Sequence, residues 1–222
     1  MLQRQSDFPR QPQDFYATPA WPTEVLLHWV RLPSGIIWEP CCGGGAIAEV
    51  LKANGHHVLA TDLEDRGYGE GGRDFMLEKR LPDGVTAIVT NPPYGRRGEK
   101  LLIKFIEHAL ELLRPVGGML ALLVPIQWAA GQEASELCQP TKPEHVATVV
   151  LADRINWIGI PAKNRGNHNH CWLVWDMSRP ADHARSLHVR NPEKAGGSRR
   201  RVRNPGKPRR PRRRVDAPEG AR

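Results

Sequence analysis

Long apolar runs are missing from this chain, and so are cysteines at any useful spacing. A membrane-spanning helix needs roughly 20 consecutive apolar residues, and no stretch approaches that length. The amino terminus, Met1-Leu2-Gln3-Arg4-Gln5-Ser6-Asp7, lacks the apolar centre of a secretory leader. A soluble, cytoplasmic protein with no membrane partner is expected. Of the four cysteines, Cys41 and Cys42 are adjacent while Cys138 and Cys171 stand alone. Neither a zinc pattern nor a disulfide framework is encoded, so free thiols and no metal are expected. Internal repeats are absent too, and 222 residues suffice for one domain with a full core but not for two large ones.

Acidic and large apolar residues both run out near the carboxyl end. From Ser178 to Arg222 there are 15 Lys and Arg against four Asp and Glu, whereas Met1 to Met177 holds 17 against 20. The formal charge of +8 therefore belongs to the last segment. With Arg199-Arg200-Arg201, Arg209-Arg210 and Arg212-Arg213-Arg214 set among Pro and Gly, residues 178–222 are expected to form a disordered basic tail. Such a tail can clamp nucleic-acid phosphates without reading sequence.

Residues 1–177 are expected to make the folded domain. Between residues 35 and 176, short apolar strands alternate with amphipathic helices, the pattern of an α/β protein with a mostly parallel sheet covered on both faces. Strands are expected at 35–40, 57–62, 86–90, 118–124, 147–151 and 171–175. A helix over 99–113 places Leu102, Phe105, Ile106, Ala109 and Leu113 on one stripe, which assigns them to the core. Residues 1–34, with Phe15-Tyr16-Ala17-Thr18-Pro19 and a helix from Thr23 to Val30, are expected to cover a ligand.

Asn91-Pro92-Pro93-Tyr94 ends the third of these strands. Two prolines lack backbone N–H groups and fix φ, so the strand must stop and turn there. An amide, a constrained carbonyl and an aromatic ring then converge at the carboxyl end of a strand, where open α/β sheets bind ligands. Asn91 Oδ1 and the Pro92 carbonyl can accept both hydrogens of a planar NH₂ group while Tyr94 stacks on its face.

Gly43-Gly44-Gly45-Ala46-Ile47-Ala48 fits G-x-G-x-x-A, and Asp62 comes 19 residues after Gly43. This spacing suits a nucleoside ligand whose ribose hydroxyls meet the Asp62 carboxylate. Glu39-Pro40, just before the turn, sets a carboxylate where a pyrophosphate would have to approach. That is unfavourable for a nicotinamide dinucleotide and favourable for a cationic ligand. Asp74-Phe75 comes after the glycine-rich loop 67–72 and offers a carboxylate and a ring to adenine.

With these motifs in this order, the chain resembles the class I S-adenosylmethionine-dependent methyltransferases that methylate amino groups, above all bacterial and phage DNA adenine-N6 methyltransferases. The resemblance runs from about Phe15 to Asp176. It implies a Rossmann-like, seven-stranded sheet with an antiparallel last strand inserted between its two predecessors. It implies S-adenosylmethionine as cofactor, with Tyr16 and Thr18 at its methionine end and Glu39, beside Pro40 and Cys42, at its amino group. Gly43 and Gly45 would allow close backbone approach, Asp62 would take the ribose, and Asp74 with Phe75 the adenine. Asn91, Pro92, Pro93 and Tyr94 would be catalytic, acting on adenine flipped out of DNA. Arg96, Arg97, Trp157, Lys163 and Arg165 would contact nucleic acid. The same acceptors also serve a base in RNA or a glutamine amide in a protein. A non-catalytic nucleic-acid-binding module is a further reading, against which the intact Glu39, Asp62 and Asn91 to Tyr94 argue.

Overall fold

A computed structural model describes residues 17–94, 100–138, 144–159, 168–179 and 184–195, apart from the side chains of Glu133, Glu136, Lys194 and Ala195. Seven strands form one sheet: β1 (Ile36–Glu39), β2 (His57–Ala60), β3 (Val85–Thr90), β4 (Met119–Pro125), β5 (His145–Leu151), β6 (His170–Asp176) and β7 (Arg185–Val189). Their spatial order is β2-β1-β3-β4-β6-β5-β7. β1 pairs in parallel with β2 and β3, and β3 with β4. β6 runs antiparallel between β4 and β5, in register Pro125 to His170 and Leu151 to His170.

Strands buried on both faces explain the continuous apolar runs that the sequence shows. Ile37, Ala87, Val89, Ala121, Leu123, Val149, Trp172 and Val174 point to one layer, which α1 (Ala20–Trp29) and α2 (Ala46–Ala53) cover with Trp21, Leu26, Ile47 and Leu51. Trp38, Ile88, Leu120, Leu122, Leu173 and Trp175 point to the other, beneath α3 (Leu101–Leu113). The five residues expected on the α3 stripe are all buried. Two further short helices, α4 (Ile126–Ala129) and α5 (Gln132–Leu137), come after β4.

Three buried tryptophans lock the layers, each with its single donor satisfied. Trp38 Nε1 donates to Thr61 Oγ1 at 2.9 Å, Trp172 Nε1 to the Pro22 carbonyl at 2.8 Å and Trp175 Nε1 to the Leu137 carbonyl at 3.3 Å. The Trp172 bond fastens α1 to the centre of the sheet. Burial of each such side chain is worth at least roughly 1.5–3 kcal/mol.

The boundary at residue 177 moves. β7 lies within the segment expected to be a tail, pairing in parallel with β5 from Ala147–Arg185 to Leu151–Val189, and α6 (Pro192–Ala195) comes directly after it. An edge strand covered on one side needs few apolar residues, and Leu187 with Val189 supplies them against the α1–α2 layer. Charge counting cannot see such a strand, because Arg185 and His188 project to solvent. Residues 196–222, which hold every arginine cluster, lie outside the described residues, so their expected disorder is a reading from composition alone.

Candidate functional site

The parallel strands β1, β2, β3 and β4 end at one edge of the sheet, where Glu39, Asp62 and the Asn91 to Tyr94 turn follow from β1, β2 and β3. β1 delivers Glu39, which is 1 % exposed. Among the described residues its Oε2 has no hydrogen-bond partner. Burial pushes its carboxyl well above the usual range, nearby Asp62 adds to the rise, and a bond from the Ala48 backbone opposes it. A buried acid with an open oxygen is costly alone and suited to a cationic ligand.

The turn after β1 is built by backbone bonds. Cys42 N donates to the Thr61 carbonyl at 2.9 Å and Gly45 N to the Cys42 carbonyl at 2.8 Å. Gly43, at φ +53°, donates its N–H to Asp62 Oδ2 at 2.8 Å, while Glu64 N donates to Asp62 Oδ1 at 2.9 Å. Asp62 is therefore aimed by two amides, each carboxylate oxygen keeping a free lone pair. Pro40 is buried. Burial, with Glu39 and Asp62 nearby, pushes the Cys42 thiol up to about 12, which makes it a packing group rather than a nucleophile.

Gly45 also makes room for a neighbouring ring. Its φ is +82°, and a Cβ there would collide with the ring of Tyr68. Tyr68 also donates its hydroxyl to Glu49 Oε1 at 2.5 Å and accepts from Lys52 Nζ at 2.8 Å. The ring clamps loop 67–72 onto α2, so Gly45 provides room for Tyr68. The signal for this was Tyr68 between Gly67 and Gly69, a lone aromatic in a glycine loop.

Phe75, expected beside adenine, has its ring packed in the core. It is 4 % exposed, its ring centroid lying 4.5 Å from Phe105, 5.2 Å from Trp38 and 5.1 Å from His108. The ring belongs to the α3 layer. Asp74 beside it accepts from Met76 N at 2.9 Å and caps the short 3-10 turn Phe75–Leu77. Leu63, next to Asp62, is instead 57 % exposed and presents an apolar surface at this edge. Sequence reasoning passed over it; its signal was an apolar residue directly after a strand-end acid.

β3 ends at Thr90 and presents Asn91 to Tyr94. Tyr94 donates its hydroxyl to Asn91 Oδ1 at 2.5 Å and lies 3.2 Å from the Leu123 carbonyl. Asn91 Nδ2 donates to Thr18 Oγ1 at 3.4 Å. Thr18, 3 % exposed, thus meets the amide from 73 residues away. Pro92 is buried and Pro93 half-buried in the turn.

Farther along the edge, the Tyr94 and His170 rings lie 6.4 Å apart, and Trp157 meets His170 edge-on at 5.1 Å. Trp157 is 7 % exposed, so it walls the site rather than projecting from it. The next residue, Ile158, donates its N–H to the Ala17 carbonyl at 3.0 Å, which closes the chain's early segment over this side. Burial, then His168, lowers the His170 pKa to about 4, so its imidazole is neutral at physiological pH. Tyr16, Arg96, Arg97, Lys163 and Arg165 lie outside the described residues. Among the described residues no group of three or more His, Cys, Asp and Glu could hold a metal, and no helix is long and apolar enough to cross a membrane.

The sequence matches no protein-family model and no curated protein. Solved structures do match. One, provisionally described as a class I S-adenosylmethionine-dependent methyltransferase from Listeria monocytogenes, aligns at 16 % identity and TM-score 0.52 over 77 % of this chain and 62 % of that one. A type I restriction-modification system methyltransferase subunit from Streptococcus thermophilus aligns at 10 % identity and TM-score 0.54 over 78 % and 47 %. The 23S rRNA methyltransferase ErmE aligns at 17 % identity and TM-score 0.53 over 75 % and 71 %. The chain thus spans less than two thirds of the first two proteins. At such identities the agreement is one of fold: the chain has the Rossmann-like α/β fold of class I methyltransferases.

Proposed function

We propose that this chain binds S-adenosylmethionine and methylates the exocyclic amino group of adenine in DNA. The observation that carries the reading is the presence, at the ends of neighbouring strands β1 and β3, of a buried Glu39 oxygen with no partner among the described residues and of the Asn91 to Tyr94 turn. The residues fit the cofactor: Glu39 suits its ammonium group, Asp62 its ribose, the spare Asp74 oxygen its adenine amine and Leu63 its adenine face. When bound, the cofactor supplies a methyl group on a sulfonium leaving group.

The obstacle at the target is that an aromatic amine's lone pair is delocalised into its ring. Asn91 Oδ1 has two lone pairs, so it can take an amine hydrogen beside the Tyr94 hydroxyl while the Pro92 carbonyl takes the other. Both bonds favour a tetrahedral nitrogen and strengthen as positive charge develops there, which is transition-state electrostatics requiring no strong base. The methylated nitrogen sheds one proton to water. Tyr94 offers the extruded base a stacking surface worth roughly 1–3 kcal/mol.

The basic carboxyl end favours nucleic acid over a protein amide. An RNA base remains the second reading, since the two acceptors do not distinguish sugar type. Labelled cofactor offered to unmethylated DNA, RNA and cell protein tests the proposal, with nucleoside mass spectrometry to identify the product. N6-methyladenine in DNA, lost in Asn91→Ala, is expected. Label only in RNA selects the second reading, and label only in protein rejects both.

A further inference from the structure

We infer that Thr18 is a positioning residue for the transfer: its buried hydroxyl takes the Nδ2 end of the Asn91 amide and so keeps Oδ1 turned to the incoming amine. The inference rests on the proposed methyl transfer and adds a residue that acts through Asn91, in a segment expected from the sequence to cover a ligand.

The two ends of an asparagine amide are nearly the same size, so packing alone does not tell them apart; their hydrogen-bond partners do. Only the oxygen can accept from a substrate amine, and a reversed amide would set donor against donor. In the structure Nδ2 donates to Thr18 Oγ1 at 3.4 Å, while Oδ1 accepts from the Tyr94 hydroxyl at 2.5 Å. Tyr94 does not by itself choose between the ends. Its hydroxyl can donate to Oδ1 or, with the Leu123 carbonyl 3.2 Å away to take its hydrogen, accept from Nδ2 instead. The choice falls on the far end of the amide, where Thr18 accepts.

Thr18 is held on both sides. Before it, Ala17 bridges to Ile158 in the β5–β6 connection, whose N–H donates to the Ala17 carbonyl at 3.0 Å. After it, Trp21 is 4 % exposed in the α1–α2 layer, and the Pro22 carbonyl accepts from Trp172 Nε1 on β6 at 2.8 Å. Thr18 itself is 3 % exposed. Residues 17–22 thus form a strap tied at two points, and it lays a fixed hydroxyl against the end of β3. Covering a ligand does not call for a hydroxyl on Asn91; orienting the amide does. Loss of that hydroxyl takes the Thr18 acceptor from the productive orientation, whereas a reversed amide keeps the bonds from Nδ2 to Tyr94 and from Tyr94 to Leu123. Thr18→Val, which has nearly the same shape, is therefore expected to reverse the amide.

Full-length wild-type protein, Thr18→Val and Thr18→Ser are compared on the unmethylated DNA of the preceding test, with kcat read at saturating cofactor and DNA so that losses of binding stay out of it. Thr18→Val is expected to lower kcat about 5- to 100-fold, the effect of one buried hydrogen bond on the population of the productive amide, with KM for DNA within about threefold. Thr18→Ser restores the hydroxyl and should keep kcat within about threefold of wild type. Amide orientation is read separately by nuclear magnetic resonance on ligand-free protein. The Asn91 Nδ2 hydrogens should show a nuclear Overhauser contact to the Thr18 methyl in wild type, replaced in Thr18→Val by a contact to the Tyr94 ring. A Thr18→Val kcat within about twofold of wild type, or a serine variant as impaired as the valine one, would overturn the inference. So would wild-type Nδ2 hydrogens that contact the Tyr94 ring alone, a result that needs no variant to fold. If wild-type protein methylates DNA, Asn91→Ala does not, and Thr18→Val fails these expectations, the inference falls while the proposed function stands. If wild-type protein labels neither nucleic acid nor protein, the proposed function falls, and the Nδ2 contact alone decides whether Thr18 holds the amide.

Discussion

The two halves of the site edge are held in different ways. On the β1–β2 side the backbone does most of the holding: Gly43 and Glu64 amides aim Asp62, the 67–72 loop returns along β2 through Glu70 N to the Ala60 carbonyl at 3.0 Å, and Tyr68 seals the turn over Gly45. On the β3–β4–β6–β5 side the contacts are between side chains: Tyr94 with Asn91 three residues before it, Trp157 with His170 across the β5–β6 connection, and Thr18 with Asn91 from 73 residues away. A backbone-built half is pre-organised for a ligand of fixed shape. A side-chain-built half can be altered residue by residue without disturbing the fold, which suits the part of a site that chooses its target. Glu39 departs from this pattern on the first side: among the described residues its buried Oε2 has no hydrogen-bond partner.

Separating the halves by mutation is the sharpest test. Asn91→Ala should lower turnover at least about 100-fold, the scale for loss of one preorganised transition-state acceptor. Cofactor affinity should stay within about threefold, read by calorimetry. Equal loss of cofactor binding would break the division between halves.

Glu39→Gln probes the exception. It should weaken cofactor binding roughly 10- to 100-fold, because a charge-assisted bond to the ammonium is lost. The ligand-free variant should nevertheless be more stable at neutral pH, by on the order of 1–3 kcal/mol. The sign comes from the raised carboxyl. The folded state holds the Glu39 proton more tightly than the unfolded chain does, so wild-type stability falls as pH rises through the ordinary glutamate range, and a glutamine escapes that fall. Thermal melts from pH 4 to 8 should show the two proteins diverging upward in pH. Parallel curves would mean that burial does not raise the Glu39 carboxyl.

Gly45→Ala tests whether the backbone-built half depends on Tyr68. Positive φ and the collision with the ring should together cost about 1–3 kcal/mol. Tyr68→Ala combined with it should recover the steric part and leave the backbone part. A simple sum of the two single effects, in denaturant titrations, would deny that they share one contact.

The difference between halves also explains what the sequence made legible. Glycines, prolines and strand-end acids act through local geometry, so the turn after β1, Asp62 and the Asn91 to Tyr94 stop could all be placed from their neighbours in the chain. The α3 stripe and six strands were legible for the same reason, the helix carrying its own period and the strands their short apolar runs between turns. β7 was hidden because an edge strand buries too little to leave an apolar pattern, and its arginines merged with those beyond it. Phe75 is ambiguous in the sequence because an acid-aromatic pair looks alike whether the ring meets a ligand or the Trp38–Phe105 layer. Thr18 was expected near the cofactor, and its bond to Asn91 depends on a contact 73 residues apart that no local pattern encodes.

Leu63 offers the smallest and most discriminating effect. Phe75 is buried in the core, so in the proposed arrangement the exposed Leu63 beside Asp62 offers the apolar surface to the adenine ring. Leu63→Ser removes that surface from a side chain already 57 % exposed, so folding stability should change by less than about 0.5 kcal/mol. Cofactor affinity should fall only two- to fivefold, about 0.4–1 kcal/mol for part of a leucine's apolar area. Because the methionine end of the cofactor does not meet this residue in the proposed arrangement, adenosine itself should lose affinity by the same factor and methionine by none. Equal loss for both fragments would place Leu63 outside the adenine contact and return that role to the Asp74 end of the loop.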